Sequence, residues 1–179
     1  MNQNDILQRL DRLDMEAFTT IDTPNMYQMI IVGGSGLVLL GVLSRATQDI
    51  DALEASPEIR HLLAKYDTNL RVSTYINNFP FNFEDRLVPL SIGGRKIQFY
   101  TCSLEDIVIA KLCSSRDTDR QDILSEDVVS HLDWERLRHL ALDDNEARAS
   151  ALNETRYRDF LHDYREYVRR CGPHEKTDI

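Results

Sequence analysis

Cysteine is scarce in this chain. Cys102, Cys113 and Cys171 are three among 179 residues, and no CxxC pair occurs, so neither a four-ligand zinc site nor a disulfide framework can be assembled. An odd, unpatterned count is the usage of a reducing compartment, and the three thiols read as buried or partly buried small apolar groups. Long apolar runs are lacking too. The longest, 29–32 and 37–43, are far too short to cross a bilayer. The start, Met1-Asn2-Gln3-Asn4-Asp5, has no basic stretch followed by an apolar one, so no signal peptide is expected. A cytoplasmic protein without a membrane partner is the expectation. Positive charge is in deficit: 21 Lys and Arg stand against 30 Asp and Glu, a net charge of −9. That balance argues against nucleic-acid binding through a general basic surface, and leaves only a local patch for RNA. An acidic pocket suits a metal with a nucleotide better. The five histidines (61, 131, 139, 162 and 174) show no H-x-E or H-x₃-H spacing and read as surface or capping residues.

What is present is an ordinary core-forming composition, 42% hydrophobic, over a length that fits one domain with a helical appendage. Ile6, Leu10, Leu13 and Ala17 fall at helical spacing. Residues 27–32 read as a buried strand, 33–35 as a Gly-Gly-Ser turn, and 36–43 as a buried helix. Residues 48–53 read as a second strand whose period of two puts Asp49 and Asp51 on one face and Ile50 and Ala52 on the other. Ser56-Pro57 starts a helix to about residue 66. Strands are expected at 70–76, 86–92 and 96–102, the last two joined by a Gly93-Gly94 hairpin. Ser103, with Asp106 three residues on, caps a helix that carries Lys111. From Asp119 the pattern is helical, with Asp133 as a cap, an apolar stripe of Leu161, Tyr164 and Val168 on the last helix, and fraying expected from Gly172 on. The expected fold is α/β (α+β): a mixed sheet flanked by helices over residues 1–125, with a C-terminal helical extension, 126–179, packed on it.

Two features carry chemistry. Glycines at 33 and 34 let the backbone approach a phosphate closely, with Ser35 adding a hydroxyl. A plain tight turn is the alternative for these three residues. Asp49-Ile50-Asp51 sets two carboxylates on one strand face, which is costly unless a cation meets them. Mg²⁺ takes oxygen ligands and brings phosphates with it. A solvated acidic edge strand is the alternative there. The run Arg165–Arg170 reads as a solvated helix face, with a tRNA contact as the sharper alternative.

Taken together, a Gly-Gly-Ser turn, a helix, then Asp-x-Asp about fifteen residues later resembles the polymerase β-like nucleotidyltransferases. The stretch Arg45-Ala46-Thr47-Gln48-Asp49-Ile50-Asp51 is similar to the minimal bacterial members, including the AbiEii-like toxins and related small domains. A second segment, Ser103 to Leu112 and then Arg116-Asp117-Thr118-Asp119-Arg120-Gln121-Asp122-Ile123, looks like that family's lysine helix followed by R-x-x-D-x-x-D-i. The resemblance covers roughly residues 28–125.

The resemblance implies a nucleotidyltransferase-type fold and an Mg²⁺- (or Mn²⁺-) dependent transfer of a nucleoside monophosphate from an NTP to a tRNA or protein acceptor. It implies a toxin of a toxin–antitoxin or phage-defence pair, with a cognate antitoxin as partner. By the same resemblance Gly33, Gly34 and Ser35 hold the triphosphate, Asp49 and Asp51 ligate metal, and Lys111 and Arg45 meet phosphate. Arg116, Asp117, Asp119 and Asp122 are supporting residues, with Asp122 expected to pair with Lys111 or a nearby arginine. The family places a third carboxylate on a later strand beside the Asp-x-Asp pair. The strand expected at 96–102 offers Gln98 there, and 70–76 holds no acid, so the third ligand is unassigned. That departure keeps a second reading open: a nucleotidyltransferase-fold protein that binds a nucleotide or a protein partner without turnover.

Overall fold

The structure, a computed structural model, describes residues 1–173. The chain opens with helix α1 (Gln3–Thr20), closed at its start by a reciprocal capping box between Asn2 and Asp5. Ile6, Leu10, Leu13 and Ala17 form its buried stripe, as their spacing predicts. Strand β1 (Tyr27–Ile31) leads through Val32 into the short helix α2 (Gly33–Leu39), and β2 (Ile50–Ala55) returns antiparallel to β1. The helix therefore begins on the glycines themselves, three residues before the expected start.

After β2 the chain enters a 3₁₀ helix, Pro57–Tyr66, and then β3 (Thr68–Asn69), which pairs in parallel with β2. The proline and the Ser56 boundary stand where the sequence predicts. Ser56 does not cap the helix, however: its hydroxyl accepts from Gln28 N–H at 3.0 Å. Residues 70–76, expected as a strand, instead belong to a second 3₁₀ segment, Arg71–Asn78. Arg71 is exposed, as are Ser73, Thr74 and Tyr75 in a row, so the segment lacks the alternate burial of a strand on a sheet. Ser73 and Thr74 turn their hydroxyls back onto the carbonyls of Leu70 and Arg71, which favours the turn over an extended chain.

Strands β4 (Val88–Gly93) and β5 (Ile97–Thr101) form the expected hairpin, with Gly93 and Gly94 both at positive φ. Asp14 of α1, fully buried, accepts the backbone N–H groups of Arg95, Lys96 and Ile97 and so fixes this turn against the helix. The sheet runs β3-β2-β1-β5-β4, with β1 and β5 parallel at its centre. Helix α3 (Leu104–Leu112) begins at Ser103, whose hydroxyl accepts from Asp106 N–H, and is buried almost throughout.

The remaining described chain is helical: α4 (Asp117–Ile123), α5 (Glu126–His131), α6 (Trp134–Leu142), α7 (Ala147–Ser150) and α8 (Glu154–Cys171). Asp133 caps α6, as expected. Helices α6 and α8 pack on α3. On α8 the buried stripe is aromatic (Tyr157, Phe160, Tyr164, Tyr167), with Leu161 and Val168 on its margin. The fraying expected toward the C-terminus falls mostly on 174–179, outside the described residues. Among the described residues, no helix is long and apolar enough to cross a membrane.

Candidate active site

The turn from β1 into α2 and the start of β2 lie side by side. Val32 N–H donates to Asp51 C=O at 2.9 Å, and Ser35 Oγ accepts from Asp51 N–H at 3.1 Å while donating to Val32 C=O at 2.8 Å. Ser35 is thus fully buried, and its hydroxyl clasps the glycine turn to the acidic strand. Gly33 adopts φ +64°, the left-handed region, and a Cβ built there would lie 3.1 Å from Asp51 Oδ2. Backbone at this turn therefore comes directly against the carboxylate.

Asp49 lies just ahead of β2 and Asp51 is its second residue; both are half-buried, while Ile50 and Ala52 between and beyond them are fully buried. That is the alternation the sequence predicts. Thr47 supports the approach to the strand by donating to Asp49 C=O at 3.0 Å. Burial pushes the Asp51 carboxyl above its ordinary pKa, and the Asp49 charge adds to the effect. The Asn69 hydrogen bond and the charges of Arg116 and Lys111 oppose that rise without cancelling it.

Asn69 is the residue that sequence reasoning missed. It is the register partner of Asp51 on β3, and its Nδ2 donates to Asp49 Oδ2 at 2.9 Å and to Asp51 Oδ1 at 3.3 Å. The strand beside β2 is β3, whereas β5, where a third acid was sought, lies beyond β1. Gln98 is therefore remote from the pair in the sheet order, and its amide is spent on the carbonyls of Phe99 and Leu90. A two-residue strand has no periodicity to read, so nothing in the sequence singles out Asn69.

A second cluster flanks Gly34. Arg45 grips Asp122 with a two-pronged pair, Nε to Oδ1 at 2.6 Å and Nη2 to Oδ2 at 2.7 Å. Lys111, from α3, donates to Asp122 Oδ2 at 3.0 Å and also binds Asp119. Ser114 Oγ donates to the other oxygen of Asp119 at 2.7 Å, and Arg116 Nε lies 3.9 Å from that oxygen. A Cβ on Gly34 would stand 3.4 Å from Arg45 Nη2 and 4.0 Å from Asp122 Oδ2, so this ion-pair network abuts the glycine turn. Burial opposes ionisation of Asp122, but the Arg45 hydrogen bond and the Lys111 charge outweigh it and hold its pKa below the usual carboxylate value. The pairing expected of Asp122 is present, with both Lys111 and Arg45. Asp117, in contrast, is an exposed first-turn residue of α4 with no hydrogen-bond or ion-pair partner among the described residues.

The donor set fits a divalent cation. Asp49 Oδ1 and Asp51 Oδ2 have no hydrogen-bond partner among the described residues, and two carboxylate oxygens on one face are the ligand type Mg²⁺ and Mn²⁺ prefer. Other candidate sites are weaker. His162, Asp163 and Glu166 gather on α8, but His162 and Glu166 are exposed to solvent. A cleft of about 440 Å³ lined by Phe18, Ile21, Thr23, Met26, Arg95 and Lys96 takes in none of the residues above. Cys102 and Cys113 are poor nucleophiles: burial raises the Cys102 pKa well above its ordinary value and that of Cys113 to about 12.

No curated protein and no solved structure matches the chain. One family model does, over residues 8–171, a span that takes in the glycine turn, the two aspartates, Asn69 and the Lys111–Asp122 cluster. The chain belongs to the family described as "Nucleotidyltransferase of unknown function (DUF6036)".

Proposed function

We propose that this protein transfers a nucleoside monophosphate from an NTP to an acceptor hydroxyl at the Gly33–Asp51 site, with Mg²⁺ or Mn²⁺ as cofactor. The observation that carries the reading is the convergence of three parts on one turn: glycine backbone, two carboxylates each with an oxygen unpartnered among the described residues, and a fixed network of Lys111 and Arg45 with Asp119 and Asp122. In the reaction the acceptor oxygen bonds to the α-phosphorus, the α–β bridging P–O bond breaks, pyrophosphate leaves, and the hydroxyl proton passes to solvent. Little covalent chemistry is asked of the protein in such a transfer; positioning and charge neutralisation supply most of the acceleration.

Each residue then has a role. Gly33 and Gly34 bring backbone N–H groups to the triphosphate, while Ser35, fully buried, serves by holding that turn against Asp51 rather than by touching phosphate. Asp49 and Asp51 hold the divalent cation, which when bound neutralises phosphate charge. Lys111 and Arg45 place positive charge beside the turn, held at a set height by Asp122 and Asp119. Arg116 lies at the outer edge of that cluster. The likeness of Arg45-x-Thr47-x-Asp49-Ile50-Asp51 to the polymerase β-like and AbiEii-like proteins supports a tRNA or protein acceptor and a toxin role with a cognate antitoxin.

The test is calorimetric. Mg²⁺-dependent binding of an NTP should be abolished by Asp49→Ala or Asp51→Ala and weakened about tenfold or more by Lys111→Ala, with circular dichroism unchanged in the aspartate variants. Full binding by either aspartate variant would refute the site. Asn69, an amide beside the carboxylate pair, favours a second reading in which the site binds nucleotide without turnover; NTP binding with no transfer to any acceptor would select it.

A further inference from the structure

We propose that Asn69 is a positioning residue that limits the Asp49–Asp51 site to a single divalent cation. The inference rests on the functional reading above and adds the stoichiometry of the site. Asn69 sits on the strand next to β2, register partner of Asp51, at the place from which a side chain reaches both aspartates at once. A single Nδ2 group donates to Asp49 Oδ2 at 2.9 Å and Asp51 Oδ1 at 3.3 Å. Its Oδ1 accepts from Arg71 N–H at 2.9 Å.

Those three contacts determine which way the amide faces. Turned over, it would set a carbonyl oxygen against two carboxylate oxygens and an NH₂ group against a backbone N–H, mismatching every contact. Asn69 therefore presents hydrogen-bond donors, not lone pairs, to the acidic pair. It occupies one oxygen of each aspartate and leaves Asp49 Oδ1 and Asp51 Oδ2 for a cation. Two carboxylates with one oxygen each unpartnered among the described residues are a ligand set for one Mg²⁺-type ion, completed by water and phosphate. A second ion in bridging range needs further anionic oxygen, and the adjacent strand supplies an amide instead. The donated hydrogen bonds also hold the two carboxylates in fixed rotamers before the ion arrives, which is how outer partners tune a metal site.

The experiment counts ions on the full-length chain with Mn²⁺ alone, by electron paramagnetic resonance of free Mn²⁺, for wild type, Asp51→Asn, Asn69→Asp and Asn69→Ser. Circular dichroism checks each variant for folding. The expected result is one Mn²⁺ on wild type, lost in Asp51→Asn, two on Asn69→Asp, and one on Asn69→Ser bound about tenfold more weakly. Two ions on wild type would overturn the inference. So would Asn69→Asp and Asn69→Ser each binding one ion with wild-type affinity, a result that leaves the Asp49–Asp51 metal site standing. No Mn²⁺ on wild type would overturn both the inference and the metal site beneath it.

Discussion

At the scale of single residues, the site is held in conformations that a stability-driven sequence would avoid. Asp51 is half-buried beside another carboxylate, and burial raises its pKa, so its charged form works against folding at neutral pH. Asp51→Asn should raise the metal-free thermal midpoint by about 2–4 °C, the shift expected of about 1 kcal/mol in a chain of this size, while removing the further rise that wild type gains from Mg²⁺; differential scanning fluorimetry with and without EDTA reads both. Gly33 has the opposite balance. Any side chain there takes on left-handed strain and meets Asp51 Oδ2, so Gly33→Ala should cost about 1–3 kcal/mol in urea unfolding. Asp122 is the counter-charge to Lys111 and Arg45, and its removal leaves Lys111 buried without that partner. Asp119 still meets Lys111 in that variant, so Asp122→Asn should destabilise by about 1–3 kcal/mol at pH 7. The folded-state pKa of Asp122 lies below the unfolded one, so its contribution is complete above the unfolded value of about 4 and is lost as pH falls through the folded value. The stability gap between wild type and Asp122→Asn should therefore hold from pH 7 to about pH 5 and close in stronger acid.

At the scale of elements, legibility followed local signals. The glycine turn, the alternation around Ile50, the Gly93-Gly94 hairpin and the Ser103 and Asp133 caps were all readable, because each depends on neighbours within a few residues. Residues 70–76 were not, because their apolar content suits either state, and the hydroxyls of Ser73 and Thr74 turning onto the carbonyls of Leu70 and Arg71 favour the 3₁₀ segment. Asn69 was hidden for a related reason: its place depends on which strand pairs with β2, a nonlocal fact. Helix α3 shows the same mixture. Ser103 and Asp106 suggest a capping box, but the Asp106 carboxylate takes the Ser103 hydroxyl at 2.6 Å and turns to Arg86, which also reaches Glu146 near α7. Arg86 thereby ties the approach to β4, the start of α3 and the helical extension together. Arg86→Met should leave Asp106 buried without its cation and cost about 3–5 kcal/mol in chemical denaturation. A loss under 1 kcal/mol would show that the network carries no structural load.

At the scale of the whole molecule, the C-terminal helices cover the core. Helices α6 and α8 pack on α3, Tyr167 OH donates to Ile123 C=O at 2.8 Å, and Phe81 N–H donates to Glu146 C=O at 3.1 Å. A chain cut after residue 125 would expose the apolar face of α3, so it should fail to unfold cooperatively, and the intact chain should unfold in one transition by both circular dichroism and tryptophan fluorescence. The net charge of −9 disfavours nucleic-acid binding through a general basic surface. Nucleotidyl transfer is tested by one assay: the purified chain incubated with each α-labelled NTP, Mg²⁺ and total tRNA, beside an Asp51→Ala control. The expected result is label on RNA or on protein with at least one NTP, absent from the control. Label on neither with any NTP, or label that persists in Asp51→Ala, would contradict it.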